Sequence, residues 1–455
     1  MGSSGQGVES EAERAAARPR RGDLLTLEID SLAFGGNGIA RRDGFVVFVS
    51  GALPGDLVEA EVSKSKRGYA EARTVSLLRP SGDRVPDRCD HGGEPCPGAP
   101  WQGLPYEIQL ETKQSQLRDA LVRIGGDSLA GFELEPMVEA DSRWRYRNKL
   151  EYSFGVRDGE LVCGFHPRGR WREVVPAIDC MLASVANNAA RNEIAEWARQ
   201  AGLPGFDPGS GEGVLRNLVV REGMRTGDLQ TRLVTTEAEI PRPPVDLHTI
   251  VGRDSGGTDG PTGALGTERL TERLCGLDLS VSHRAFLQTN TEMAERLYAI
   301  AADYAGLSGS ERVFDLYCGI GTLGLSMASR AGEIWGIEVV EEAIADAKSN
   351  AERNGISNAR FISGDARLEM RPMLAEAGKP DVVVVDPPRA GLSKKVVRRV
   401  IECEAPRIVY VSCNPTTLAP NAAQLAEAGY RLRRVTGVDM FPQTPHIECV
   451  ALLER

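Results

Sequence analysis

The chain has 455 residues, 41% of them apolar and only 5% aromatic, with 50 glycines and a formal net charge of −10. That length exceeds one ordinary core and points to two or three domains. The acidic balance excludes a general nucleic-acid coat, because phosphate binding draws on Lys and Arg, but it leaves room for a local basic face. Nine cysteines, odd in number and irregularly spaced, do not make a secreted disulfide framework. No apolar run approaches the roughly 18–20 residues of a membrane span. Residues 1–22 lack the apolar region of a signal peptide and read as a disordered tail. A cytoplasmic protein is expected, without membrane contact.

Residues 23–80 read as all-β. Short β-rich runs are broken by Gly35-Gly36-Asn37-Gly38, Asp43-Gly44 and Pro54-Gly55-Asp56 at hairpin spacing. About five strands in so short a stretch predict a small OB-like barrel. Lys64, Lys66, Arg67 and Arg73 around Tyr69 give it an RNA-binding character. Residues 81–285 read as a small α+β central domain. It opens on a Pro/Gly-rich stretch holding Cys89 and Cys96, followed by helical periodicity over 106–124 in Ile108, Leu110, Leu117, Leu121 and Ile124.

The segment RWRYRNKLEYSFG (143–155) alternates Arg143, Arg145, Arg147 and Lys149 with Trp144, Tyr146 and Asn148. Read as a strand, it sets four cations on one face. A hairpin around Asp158-Gly159 adds Arg168, Arg170 and Arg172. Residues 143–172 carry eight Lys and Arg against three acids, a surplus of five in a −10 chain. That sign reversal points to a phosphate-binding surface for RNA. Residues 241–263, rich in Pro and Gly, read as a long loop.

From 286 to 455, helical patterns alternate with short apolar runs, the signature of an α/β domain with a mainly parallel sheet. RVFDLYCGIGTLGL (312–325) reads as strand, glycine turn and helix. Gly319 and Gly321 let the backbone turn tightly toward a ligand, and Thr322 opens the helix. Glu338 ends the next strand, 17 residues after Gly321, where a carboxylate can accept two ribose hydroxyls. Asp365 follows a third strand, within reach of an adenine amino group. The loop lacks the Gly-Lys-Ser/Thr of a phosphate-binding P-loop. An adenosine compound is implied, and S-adenosyl-L-methionine suits it better than ATP.

Two apolar runs end in stiff polar loops, VVVVDPPRAG (382–391) and IVYVSCNPTT (408–417). In a doubly wound parallel sheet both loops fall on the ligand-binding edge. Cys413 there is a candidate nucleophile, whereas Cys318, Cys403 and Cys449 read as buried structural thiols. Cofactor, thiol and carboxylate together suit methylation of a pyrimidine at C5. A thiolate adding to C6 makes C5 nucleophilic, and a base later removes the C5 proton. Glu448 is the candidate base, with His446 as its rival.

HRAFLQTN (283–290), FDLYCGIGTLGL (314–325), GIEVVEEAI (336–344), DPPRAGL (386–392), VSCNPTTLAPN (411–421) and FPQTPHIECV (441–450) follow one another through the whole domain. In them the chain resembles the RNA uracil-C5 methyltransferases that make 5-methyluridine in tRNA or large-subunit rRNA. The N-terminal barrel is similar to the TRAM domain of many members, and YRNKLEYSFG resembles their central domain. The resemblance implies a Rossmann-like S-adenosyl-L-methionine methyltransferase domain, with Cys413 as nucleophile and Glu448 as base. It also implies cofactor contacts from Gln288, Tyr317, Glu338 and Asp386, with Asp365 and Gly319–Thr322 as neighbours, and RNA as partner, rRNA ahead of tRNA. A monomer is expected, since no extra assembly element is visible.

One departure concerns the four-cysteine iron–sulfur cluster of several members. Cys89, Cys96 and Cys180 match three of its ligands, but Ala99 stands at the remaining position. Three thiolates could hold a cluster only with an outside ligand such as His91, so the cluster is either lost, the favoured expectation, or unusual. Two other readings remain: a cytosine-C5 or base-amino methyltransferase, and a catalytically inactive RNA-binding protein. Arg389 after the prolines, where amino enzymes carry an aromatic residue, disfavours the amino enzymes.

Overall fold

The computed structural model describes residues 18–42, 44–89, 95–236, 239–244, 247–251, 262–265 and 269–455. Most of the N-terminal tail, residues 1–17, lies outside them. Two compact units emerge. The first takes the described residues up to Arg88, with Ala99–Thr112 and Gln443–Pro445; the second takes Cys89–Gly98, Lys113–Pro442 and His446–Arg455.

The first unit is a six-stranded sheet: β1 (Leu24–Glu28), β2 (Ser31–Leu32), β3 (Gly38–Arg42), β4 (Phe45–Ser50), β5 (Leu57–Ser65) and β6 (Tyr69–Arg79). Their order is β1-β5-β6-β4-β3-β2. Strand alternation sends Leu25, Leu27, Val47, Val49, Val58, Ala60, Val62, Ala70 and Ala72 into one core. There are six strands rather than about five. Their recorded pairing is an open ladder with β1 and β2 outermost, not a ring closed by hydrogen bonds. Asp56, buried, fastens the sheet's end by accepting from Leu53 N and Ser81 N and from both Nε and Nη2 of Arg84 at 2.7 Å. Of the cations around Tyr69, Lys64 pairs with Glu71 and Arg73 with Glu61 on the exposed face. Lys66 and Arg67 are exposed at the β5–β6 turn.

The second unit holds helix α1 (Tyr106–Gly125) from Lys113 onward and strand β7 (Glu133–Val138). A seven-stranded sheet follows, from β8 (Lys149–Arg157), β9 (Glu160–Phe165), β10 (Val175–Pro176), β11 (Leu215–Glu222), β12 (Leu229–Thr235), β13 (Leu247–Val251) and β14 (Thr262–Leu265), with helix α2 (Val185–Gln200) between β10 and β11. Asp158 and Gly159, both at positive φ, make the two-residue turn of the β8–β9 hairpin.

Two expectations need correction. Arg143, Arg145 and Arg147 are not in a strand; β8 begins at Lys149. Arg145 sits in the left-handed region at φ 54°, which breaks an extended run. It ion-pairs with Asp179, while Tyr146 and Asn148 are buried. The stretch 241–263 is not all loop, because β13 pairs in parallel with β12 and antiparallel with β14. Its prolines and glycines bracket a strand.

After the hairpin of β15 (Arg269–Leu274) and β16 (Leu277–Ser282) comes α3 (Thr291–Ala305), capped by the Asn290 side chain and ended by Gly306 in the left-handed region. Then strands and helices alternate: β17 (Arg312–Leu316), α4 (Thr322–Met327), β18 (Glu333–Glu338), α5 (Glu341–Arg353), β19 (Ala359–Ser363), α6 (Ala366–Ala377), β20 (Val382–Val385), α7 (Lys394–Glu402), β21 (Arg407–Ser412), α8 (Pro415–Glu427), β22 (Arg431–Val438) and β23 (Glu448–Glu454). The sheet order is β19-β18-β17-β20-β21-β23-β22-β7, parallel from β19 to β21 and antiparallel at β23. All four valines of β20 are buried, as a strand covered on both faces requires. Among the described residues no helix is long and apolar enough to cross a membrane.

Candidate functional site

The register aligns the ends of neighbouring strands. Leu316 of β17 lies beside Ile337 of β18 and Val385 of β20, and Val385 lies beside Tyr410 of β21. The loops that leave these strands therefore open on one edge. Tyr317 turns at φ 66°, a strained angle for a tyrosine, and its N–H donates to Ile337 O. Gly319 (φ 54°) and Gly321 (φ 81°) complete the turn. A Cβ on Gly321 would meet the Phe361 ring at 3.0 Å. One Glu338 oxygen accepts from Gly319 N at 3.3 Å; the other accepts from Val339 N and Val340 N.

This edge opens a small cleft, with about 370 Å³ of atom-free space once the open solvent at its mouth is included. Gln288, Tyr317, Gly319, Thr322 and Asp386 line it. Gly321 and Glu338 shape the loop behind it. Asp365 caps α6, accepting from Arg367 N and pairing with the Arg367 side chain. That side-chain hydrogen bond holds its carboxyl below the ordinary value.

Asp315, Tyr298 and Phe286 are among the lining residues that escaped the sequence reading. The signal for Asp315 was an acid inside the apolar run VFDL. It is buried; one oxygen accepts from Gly324 N at 3.0 Å and the other has no hydrogen-bond partner among the described residues. Burial pushes both Asp315 and Asp386 up to about 7. A cavity walled by acids that gain from a nearby positive charge fits a sulfonium cofactor.

Cys413 and Glu448 meet through the antiparallel β21–β23 ladder. Its outermost pair is Ser412 with Cys449, so the next residues outward are Cys413 and Glu448. Burial, then Glu448 and Asp386, push the half-buried Cys413 thiol up to about 11, with Arg389 pulling it back. Burial and Asp386 push the Glu448 carboxyl well above its ordinary value. His446 is driven the other way, to about 4, by burial and by Arg389, Arg147 and Lys113. Arg389 Nη2 donates to His446 Nδ1 at 2.6 Å. The two proline loops are tied together: Asn414 Nδ2 and the Thr417 hydroxyl both donate to Arg389 O. Stiff strand ends thus hold the thiol and the carboxylate in register. Cys318, Cys403 and Cys449 are buried, and Cys449 Sγ donates to Ser412 O.

Cys89, Cys96 and Cys180 are buried as well. Cys96 is pushed up by a hydrogen bond with Cys89, then by burial and the charges of Cys89 and Cys180. The three thiols are therefore neighbours. Ala99 supplies no ligand atom, and His91 lies outside the described residues. Among the described residues no group of three or more His, Cys, Asp or Glu is arranged to hold a metal ion. The residues do not fit a four-thiolate cluster.

The family profile described as tRNA (Uracil-5-)-methyltransferase matches residues 276–455, and that of the TRAM domain matches 18–75. An uncharacterized RNA methyltransferase of Halalkalibacterium halodurans is 36% identical over 456 residues, covering 95% of this chain and 97% of its own. Another from Caldanaerobacter subterraneus is 36% identical, covering 96% and 99%. The chain belongs to the RNA uracil-C5 methyltransferase family. The crystal structure of Pyrococcus abyssi tRNA (uracil-54, C5)-methyltransferase in complex with S-adenosyl-L-homocysteine superposes with a TM-score of 0.76 at 29% identity, covering 94% of this chain and all of that one. The enzyme thus joins a Rossmann-like methyltransferase domain that binds S-adenosyl-L-methionine to an N-terminal TRAM domain.

Proposed function

We propose that the enzyme methylates C5 of a uridine in structured RNA through a covalent adduct on Cys413. The observation that carries this reading is the register that sets Cys413 beside Glu448 on the sheet edge where the cofactor cavity opens. Cys413 gives its proton to solvent and its sulfur bonds to C6, shifting the C5–C6 π electrons into an enolate over C5 and O4. C5 takes the methyl group that the sulfonium supplies. The Glu448 carboxylate then removes the C5 proton; the electron pair restores the C5–C6 double bond, and the C6–S bond breaks to release the thiolate. A carboxyl raised by burial is a stronger base than an exposed one, which supports Glu448. His446, held near 4 and hydrogen-bonded to Arg389, is a poor proton acceptor.

Gln288, Tyr317, Gly319, Gly321, Thr322, Glu338, Asp365 and Asp386 would hold the cofactor. From their strand-end positions, Glu338 would accept from the ribose hydroxyls and Asp365 from the adenine amino group. Large-subunit rRNA is the first expected substrate. The tRNA specificity in the name of the Pyrococcus protein makes tRNA the second. A cytosine-C5 reaction would use the same thiol chemistry, and product analysis separates it. An iron–sulfur cluster is not part of the proposal, and a monomer acting in the cytoplasm is. Nucleoside mass spectrometry of rRNA and tRNA from cells lacking the gene tests the reading. Loss of 5-methyluridine from one RNA is expected; unchanged 5-methyluridine with loss of 5-methylcytidine would replace uridine by cytidine.

A further inference from the structure

The loop between β9 and β10 carries a feature that the methylation chemistry leaves unused. Strand pairing closes it, with Val175 opposite Phe165 and Pro176 opposite Gly164. It is braced from within. His166 Nδ1 bonds Glu173 O at 2.8 Å, Arg170 N donates to Pro167 O, and Glu173 N donates to Arg170 O. Arg170 also ion-pairs with Glu173, and Gly169 turns the chain at φ 79°. On this frame Trp171 stands 58% exposed. The Arg172 guanidinium lies over one face of the indole, 4.9 Å from the ring centroid. Arg168 flanks it and forms no ion pair among the described residues. Asp207 is close enough to feel the charge of Arg172.

A large aromatic ring on a braced, cationic loop has a specific use. One face is covered by a cation and more than half of the side chain is exposed, which suits a stacking platform for a nucleobase, with arginines to meet its phosphates. Bracing lowers the ordering cost of binding. A single exposed apolar residue needs no explanation, but here it coincides with three arginines against one acid over 166–173 in an acidic protein. We propose that Trp171 stacks on an unpaired base of the substrate RNA, with Arg168 and Arg172 contacting the adjoining phosphates. The inference rests on the RNA-methyltransferase reading and adds a base contact outside the catalytic cavity.

The test uses the full chain and two labelled probes, an RNA hairpin with an unpaired loop and the fully paired duplex of its stem. Trp171→Ala should weaken hairpin binding by about 5- to 150-fold, the equivalent of about 1–3 kcal/mol for one stacked base. Duplex binding should hold, and so should the melting temperature, since the side chain is exposed. Trp171→Phe should recover most of the affinity. Arg168→Ala should lower the slope of log K against log salt by about 1, whereas Trp171→Ala should leave that slope unchanged. Equal hairpin binding by wild type and Trp171→Ala overturns the proposal, as does an equal loss on hairpin and duplex. Failure of the wild type to bind either RNA would instead strike the RNA-methyltransferase reading beneath it.

Discussion

Asp315→Asn isolates the energetic cost of the cofactor cavity. The Asp315 side chain is buried in β17, and one of its oxygens has no hydrogen-bond partner among the described residues. Burial, opposed by the Gly324 N–H and reinforced by Asp386 and Glu338, raises it from 3.8 to about 7. An acid whose folded value lies above its unfolded value favours the fold while it is protonated. That contribution is full below about pH 4 and is lost as pH rises through about 7. At about 1.4 kcal/mol per pH unit, the whole difference is about 4 kcal/mol. Between pH 5 and pH 8 the wild type should lose about 3 kcal/mol that the amide variant keeps, because an amide does not titrate. Asp386 titrates in the same range and couples to Asp315, so the comparison is between the two proteins rather than between absolute values. A chain with two compact units need not unfold in one step. Amide hydrogen exchange of β17 and β18, read by mass spectrometry at both pH values, keeps the readout local. The variant should be better protected at pH 8 and weaker in cofactor binding. Protection that differs by the same amount at both pH values would refute the reasoning.

Glu448→Gln should form the methylated Cys413 adduct and fail to release it, so denaturing gels should show protein–RNA conjugate with no free product. Cofactor binding should tighten as pH rises from 6 to 8, when Asp315 and Asp386 lose protons next to a cationic ligand. Calorimetry in two buffers of different ionisation enthalpy should record proton release near pH 7, and a pH-independent affinity would contradict it. Lys113 and Asp439 pair at 2.6 Å with both side chains fully buried. Lys113→Met should cost about 3–5 kcal/mol by stranding the carboxylate, and Lys113→Met with Asp439→Asn should recover most of it, as read by thermal melting.

Much of the fold was legible because it is written in periodicity and turn chemistry. The valines of 382–385, the glycines of 319 and 321, and the Asp158-Gly159 hairpin each act over a few residues. The order of motifs along a doubly wound sheet then places their loops on one edge without further information. What escaped depends on contacts between distant segments. Nothing local to Arg145 announces the left-handed angle that ends the alternating run before Lys149. Residues 247–251 form a strand because β12 is there to pair with them, against the Pro and Gly that surround them. Asp315 looked like one acid in a strand; its significance is the missing partner for one oxygen, which only packing reveals. The stacking loop at Trp171 was visible as a basic run, while the orientation of Arg172 over the indole was not.

The covalent step through Cys413 is the central claim, and one experiment meets it directly. Substrate RNA carrying 5-fluorouridine cannot lose a proton from C5, so an adduct formed by thiolate addition and methyl transfer persists. Intact mass spectrometry after nuclease digestion should find the wild-type protein heavier by a methylated fluoropyrimidine nucleotide, with the added mass mapped to the peptide containing Cys413. The Cys413→Ala protein should show no added mass while still binding the cofactor. A Cys413→Ala protein that methylates uridine, or a wild-type adduct mapped to another residue, would contradict the account.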